Sequence, residues 1–190
     1  MHPLRFLLKP FPGEERPAAV TVGGSIARRA GTLSVLWEVR GNLLELSIPA
    51  AAAAPRRQGR LWEDTCLELF LGTADSGEYR EFNLSPAGHW NIYRFRSYRK
   101  GMREETAIPS LPFDVRIGPD ALDLSMELDA GAILSAEKTL RIGVAAVVKT
   151  VDGRTIHLAL SHPGPRPDFH RRENFALEIP PAPGRPPLLP

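Results

Sequence analysis

The sequence has a single cysteine, no long apolar run and almost no net charge, and each absence excludes a class of protein. One cysteine, Cys66, excludes an internal disulfide and any metal site built from several cysteines. The first apolar run, Phe6-Leu7-Leu8, is shorter than the roughly seven to fifteen residues of a signal-peptide core, and no segment approaches the roughly twenty residues of a membrane-spanning helix. A formal net charge of +2 argues against a dedicated polyanion binder. We therefore expect a cytoplasmic protein that binds neither membrane nor nucleic acid.

Helical periodicity is scarce, whereas alternation of apolar and polar residues is frequent. The 19 prolines also suit strands and turns better than long helices. Period-two segments separated by Gly, Pro, Asp or Asn are typical of strands, and they cover residues 32–40, 43–48, 66–71, 79–84, 90–98, 122–128, 140–149, 155–161 and 175–179. Asp152-Gly153 has the strongest signature of a hairpin turn, and 130–138 is the single helical candidate. The pattern predicts an all-β, antiparallel sandwich or barrel of about nine to eleven strands with at most one or two short helices.

The length of 190 residues and the 43% of hydrophobic residues are enough for one domain with a real core. We place that domain at residues 1–180. Residues 181–190 are rich in proline, which cannot continue a sheet ladder, and are expected to form a mobile tail.

The hairpins between residues 66 and 98 carry the most informative pattern, because their two faces differ in polarity. Seven apolar side chains are expected to point together into the core: Leu67, Leu69, Leu71, Phe82, Leu84, Tyr93 and Phe95. The reverse face would then gather charged and amide side chains within cross-strand reach: Glu68, Glu81, Asn83, Arg94 and Arg96. Trp62 and Trp90 would lie at the mouth of this face, where an indole can stack on a sugar ring.

Two interpretations of the polar face stay open. It is either a solvated set of ion pairs, each worth less than about 1 kcal/mol, or a surface that binds a polar ligand.

Several separated motifs resemble the bacterial DOMON-like domain family, which is related to family-nine carbohydrate-binding modules. The resemblance spans about residues 32–179 and rests on LWEDTCLELF from Leu61, EFNLSP from Glu81, WNIY from Trp90, LALSHP from Leu158 and PDFH from Pro167.

The resemblance implies an immunoglobulin-like β-sandwich that binds a sugar or haem without catalysis. Trp62 and Glu68 fall in the segment comparable to part of the sugar site of family-nine modules, and Trp90 is a candidate for a second gripping tryptophan. We also expect Asp168, Phe169 and His170, on a loop, to form one wall of the site.

Other functions find weaker support in the sequence. Haem would need axial donors such as Met102 or Met126 with His162 or His170, and a partner-binding domain with a merely solvated polar face is a further alternative. The spacing of His157, His162, Asp168 and His170 matches no compact metal motif, so no metal site is predicted. The basic residues near Arg94 are balanced by acids on the same hairpins, which argues against nucleic-acid binding. Facing arginines would keep Glu68 and Glu81 ionised, so neither is an obvious general acid and no enzyme is predicted.

Overall fold

The computed structural model describes residues 2–15, 20–29, 31–135 and 137–181, which fold into two packed antiparallel sheets. The prediction of an all-β sandwich is confirmed. Of the predicted tail at residues 181–190, all but Pro181 lies outside the described residues. Within the described ranges, no helix is long and apolar enough to cross a membrane.

Strands dominate the described part of the chain. In chain order they are β1 (Leu4–Leu7), β2 (Lys9–Pro10), β3 (Thr21–Arg29), β4 (Thr32–Arg40), β5 (Cys66–Thr73), β6 (Tyr79–Leu84), β7 (Trp90–Phe95), β8 (Arg103–Glu104), β9 (Phe113–Ile117), β10 (Ala121–Asp129), β11 (Leu140–Lys149), β12 (Thr155–Ala159) and β13 (Leu177–Ile179). Four short 3₁₀ turns lie between them, at Leu43–Glu45, Leu61–Glu63, Ala130–Ala132 and Arg172–Asn174.

One sheet of the described chain has five strands in the order β1-β3-β4-β10-β9. The other has eight, in the order β2-β12-β11-β5-β6-β7-β8, with β13 also paired to β11. The expected Asp152-Gly153 turn joins β11 to β12, which pair antiparallel from Lys149 opposite Thr155. The larger sheet carries the hairpins that the sequence singled out.

The main core lies between the sheets and is built by alternation. In β4, Leu33, Val35, Trp37 and Val39 are all buried, while the residues between them are half-exposed. From the larger sheet, the predicted residues Leu67, Leu69, Leu71, Phe82 and Leu84 pack into the same core, which confirms their inward direction.

The outer face of the eight-stranded sheet is also buried, and this overturns part of the prediction. A second hydrophobic cluster lies there under the loops that follow β7 and β12, formed by Phe70, Tyr79, Tyr93, Phe95, Ala145, Val147, Ala159, Phe169 and Phe175. The prediction that Tyr93 and Phe95 enter the main core is wrong, because β7 turns Trp90 and Ile92 inward instead. We call this second group of residues the outer cluster.

Three sequence expectations differ from the structure in detail. Residues 43–48 form the 3₁₀ turn Leu43–Glu45, capped by the side chain of Asn42, instead of a strand. Around the single residue left undescribed within 130–138, the helical candidate is reduced to the turn Ala130–Ala132. The described residues hold 13 strands instead of nine to eleven, since pairings as short as the two-residue β2 and β8 count as strands.

Candidate functional site

A pocket of about 370 Å³ opens on the outer face of the eight-stranded sheet. Its floor comes from strand residues and its walls from a 3₁₀ turn and two loops. Its lining consists of Trp62, Glu68, Glu81, Phe95, Arg99, Met102, Val147, His157, Pro167, Asp168, Phe169 and His170. The volume lies in the range of small-molecule sites, near its lower end.

Two carboxyl groups form the polar part of the floor. Glu68 on β5 lies opposite Asn83 of β6, and Glu81 on β6 lies opposite Phe70 of β5, so the two acids are diagonal neighbours on one face. They are 2% and 5% exposed, respectively. The side-chain amide of Asn83 donates to Glu81 Oε1 at 3.0 Å, whereas no described residue donates a hydrogen bond to the carboxyl of Glu68.

Burial keeps this carboxyl pair protonated to an unusual degree. Burial first, and then the charge of Glu81, raise the pKa of Glu68 well above its ordinary value. Burial likewise raises the pKa of Glu81 to about 7, against the opposing effects of the Asn83 hydrogen bond and the Arg99 charge. Near neutral pH the pair therefore still holds a proton. The expectation that arginines hold both acids ionised is wrong, because Arg99 is the one arginine that lowers their pKa.

His170 stands beside the pair as a neutral imidazole. Burial and the charge of Arg99 lower the pKa of His170 to about 4, with Asp168 opposing. The backbone N–H of Arg99 donates to the Tyr79 hydroxyl at 3.2 Å, so that hydroxyl can donate its own proton to His170 Nδ1, 2.8 Å away. His170 Nε2 then carries the ring proton and lies 3.8 Å from Glu81 Oε2, too far for a direct hydrogen bond and well placed for a bridging group.

Arg99 and Asp168 join the two wall loops. Arg99 Nε and Nη2 lie 3.2 and 2.8 Å from Asp168 Oδ1, and the Tyr98 hydroxyl donates to Asp168 Oδ2. Although burial opposes it, these hydrogen bonds lower the pKa of Asp168, which is therefore ionised. Arg99 has a φ of 51°, in the left-handed region that non-glycine residues avoid. Such strain is held by surrounding contacts and is typical of functional loops.

Trp62 forms the aromatic wall. It lies in the turn Leu61–Glu63, which follows Arg60 at a φ of 61°. Within the described ranges, Arg60 and Arg99 are the two non-glycine residues with positive φ, and both flank the pocket. The indole of Trp62 is half-buried and packs edge-on to Tyr93, with ring centroids 5.7 Å apart. It can therefore offer an indole surface to a ligand without leaving its position.

The structure brings together five of the nine predicted site residues: Trp62, Glu68, Glu81, Asp168 and His170. Asn83 lies just beneath them, fully buried against Glu81. That these side chains bind a ligand stays a prediction.

The other three predicted residues lie elsewhere. Trp90 packs in the main core, with the Arg57 guanidinium 4.2 Å from its ring centroid. Arg94 points to the same side as Trp90 and Ile92, away from Glu68, and pairs with Glu78 at 2.5 Å. Arg96 follows the end of β7 and is exposed. The prediction that Arg94 and Arg96 share a face with Glu68 and Glu81 is wrong. The two faces of β7 are exchanged relative to the prediction, which also explains the wrong placement of Tyr93.

Phe169, expected with Asp168 and His170 in one wall, also lines the pocket. Several other lining residues were not predicted as part of this site: Phe95, Arg99, Met102, Val147, His157 and Pro167. One signal was available, because β5 is apolar on both faces, with Phe70 between Leu69 and Leu71. Such a strand is typical of a sheet covered on both sides. No signal in the sequence marks Arg99, whose position depends on the loop that follows β7.

The described residues do not offer a suitable set of side-chain ligands for a metal ion or for haem. The described residues contain no group of three or more His, Cys, Asp or Glu side chains placed to hold a metal ion. For haem, Met102 and His170 do line the same pocket, but His170 Nδ1 is bound to Tyr79 and its Nε2 faces Glu81. Two buried carboxyls would also face the apolar macrocycle. The pocket therefore does not fit haem, and no function is derived through it.

Comparison with known proteins identifies the fold as one shared with carbohydrate-binding proteins. A candidate carbohydrate-binding protein from Bacteroides uniformis superposes with a TM-score of 0.71 at 18% identity, covering 90% of this chain and 83% of that one. A family-nine carbohydrate-binding module from Caldicellulosiruptor kristjanssonii in complex with cellotriose gives a TM-score of 0.50 at 10% identity, covering 83% and 72%. A family-nine module from the same organism in complex with glucose gives 0.50 at 12% identity, covering 92% and 83%.

No family model and no curated protein matches the sequence. The chain thus has the sandwich fold of carbohydrate-binding modules, and its membership of the DOMON-like family stays a hypothesis.

Proposed function

We propose that the protein is a non-catalytic module that binds a saccharide in the pocket between Trp62 and His170. The observation that carries the proposal is the convergence, around about 370 Å³, of a half-exposed indole, two buried carboxyls, an arginine–aspartate pair and a neutral imidazole. These groups match the surface of a sugar ring, which has an apolar face and a rim of hydroxyls.

Each polar group has a definite use toward a sugar. The buried carboxyls and His170 can accept or donate hydrogen bonds to neighbouring hydroxyls, and Asp168 is held in place by Tyr98 and Arg99. The carboxyl of Glu68 has no donor from the described residues, and a ligand hydroxyl could supply one. Trp62 is placed to stack on the ring.

The shared fold supports the class of ligand. Solved proteins of this fold include family-nine modules in complex with cellotriose and with glucose. At 10% and 12% identity that likeness concerns the fold, so the proposal rests on the pocket.

The arrangement of the acids supports binding without catalysis. A glycosidase uses two carboxyl groups that flank the scissile bond from opposite sides. Here Glu68 and Glu81 lie on adjacent strands of one sheet face, where they would contact the same side of a ligand.

The test is a titration with mono- and oligosaccharides, followed by isothermal calorimetry and by tryptophan fluorescence. We expect saturable binding that falls at least about tenfold in Trp62→Ala, because stacking contributes most of the apolar contact. Glu127→Gln is the matched control, since Glu127 is exposed on the opposite sheet. No heat and no fluorescence change at millimolar sugar, from a protein that melts cooperatively, would exclude the proposal.

A further inference from the structure

The carboxyl of Glu68 combines burial with a place in the pocket lining. It lines the pocket, is 2% exposed, and receives no hydrogen bond from any described residue. Buried polar groups in folded proteins almost always have a partner. A group that lacks a protein partner and faces a cavity is open to a donor from the cavity, which a bound ligand can supply in place of water.

The charges around the cavity show what kind of donor is suited to it. Asp168 is paired with the guanidinium of Arg99 at 2.8 Å and lies 3.7 Å from Arg171 Nε. His157 is paired with Glu14, at 2.8 Å, and His170 is neutral. The remaining ionisable groups that β5, β6 and β7 present on this face are Cys66, Glu68, Tyr79, Glu81 and Tyr93. On the same face, β11 adds Lys149 and Arg141, and Arg141 pairs with Glu178.

The thiol and the two phenols of that set are uncharged, because burial raises the pKa of each. The charge of Arg99 lowers the pKa of both Glu68 and Glu81, but Arg99 is hydrogen-bonded to Asp168, and among the described residues no Lys or Arg forms an ion pair with either acid. An anionic ligand would be repelled by the pair once it ionises, whereas a cation could take the place of the proton that the pair retains near neutral pH.

The walls are compatible with a cation as well. Trp62, Phe95 and Phe169 all line the same pocket. Aromatic rings around a site with excess carboxylates are a recurring arrangement for ammonium groups, since the ring faces carry negative charge.

We propose that the natural ligand is a saccharide bearing a protonated amine, with the ammonium group seated between Glu68 and Glu81. The inference rests on the proposed function and specifies its ligand class. The ammonium donates to the otherwise unpartnered carboxyl of Glu68 and to Glu81, and the sugar ring lies against Trp62. Seating the cation displaces the proton that the pair retains to solvent.

The test compares sugars that differ in one substituent. Glucosamine, galactosamine and mannosamine are each titrated by calorimetry against the parent sugar and the N-acetyl derivative. The titrations are run at pH 6.5, where an amine with a pKa near about 8 is charged. For at least one ring we expect the amine to bind about tenfold or more tightly than both neutral forms. Its binding enthalpy should also change with the ionisation enthalpy of the buffer, which reports proton release.

Variants connect the preference to the carboxyl pair. Glu68→Gln keeps the shape of the side chain and should reduce the preference for the amine to within about twofold while leaving neutral-sugar binding measurable. Glu81→Gln, in which Asn83 can still donate to the amide oxygen, is the second variant should the first fail to melt cooperatively. Glu127→Gln should keep the full preference.

Three negative results have different meanings. Equal binding of amine, parent and N-acetyl sugars would overturn the ammonium proposal and leave a saccharide module in place. Binding of none of the nine sugars or of their oligomers would overturn the proposed function itself. Amine preference that survives in Glu68→Gln and Glu81→Gln alike would show that the cation sits elsewhere, and would also overturn the inference.

Discussion

Replacing Glu81 by glutamine should stabilise the protein, and more so as the pH rises. Burial raises the pKa of Glu81 from its ordinary value of 4.5 to about 7. Between these values the folded protein holds the proton more tightly than the unfolded chain does, so stability falls as the pH rises through this range. A difference of one in pKa between the folded and unfolded states corresponds to about 1.4 kcal/mol, so the ionised side chain costs the folded state about 3 kcal/mol above pH 7.

Glutamine removes that cost and keeps the local contact, because its amide oxygen can still accept from Asn83. The variant should therefore be close to wild type in stability at pH 4.5 and more stable by about 3 kcal/mol at pH 8. For a chain of this length that corresponds to about 6–12 °C in melting temperature.

The stability of the variant must be compared with that of the wild type at each pH, because His170 changes the pH dependence of stability in the opposite direction to Glu81. Its pKa is lowered from 6.5 to about 4, so the unfolded chain holds that proton more tightly and stability rises with pH between those values. In the wild-type protein the two effects on the free energy of unfolding nearly cancel. The difference in this free energy between the Glu81→Gln variant and the wild type, taken at each pH, leaves the effect of Glu81 alone.

Urea unfolding at half-unit steps from pH 4.5 to 8.5, followed by circular dichroism, measures the difference. Glu127→Gln, on an exposed position of the other sheet, should show no comparable trend. A stability gain in Glu81→Gln that is the same at pH 5 and pH 8 would refute the assignment of a protonated, buried carboxyl.

Three further changes test the site and its support. Trp62→Ala should weaken saccharide binding about tenfold or more by calorimetry, whereas Trp90→Phe should leave it unchanged, because Trp90 packs on the opposite face of the sheet; equal losses would contradict the site. Arg99→Met removes the cation that lowers the pKa of Glu81, so the carboxyl should titrate above about 7 in a carbon-detected NMR titration, and an unchanged midpoint would count against that contact. Phe70→Ala in the outer cluster should cost about 3–5 kcal/mol in urea unfolding, and a cost below about 1 kcal/mol would mean that the outer cluster is not packed.

The strand pattern was predictable because period two follows directly from pleated geometry. Leu67, Leu69 and Leu71 had to share one face, and alternation with Phe70 and Glu68 on the other needed no tertiary information. The same reasoning fixed the Asp152-Gly153 hairpin, since the flanking strands and the turn residues agree.

The parity of β7 was not predictable by the same reasoning. Its residues alternate as Trp90, Ile92 and Arg94 on one face and Tyr93 and Phe95 on the other, and both faces carry large apolar side chains. When a sheet is covered on both sides, hydrophobicity does not show which face of the strand packs into the main core. The loop that follows β7 decides the matter, because it places Arg99 over the outer cluster, and a loop conformation with a positive φ leaves no periodic signal.

The same outer cluster explains how a sheet face can hold two protonated carboxyls beside a pocket. A sheet face open to water would leave Glu68 and Glu81 solvated and paired with mobile counter-charges, each contributing little. Covering that face with the loops around Arg99 and Phe169 removes the water, so the two acids retain a proton near neutral pH and Glu68 is left without a donor. Such an arrangement destabilises the folded chain, and packing alone would favour apolar residues at both positions. Two acids that destabilise the fold and yet border a cavity lined by aromatic rings are expected where selection for binding, and not for stability, retains them.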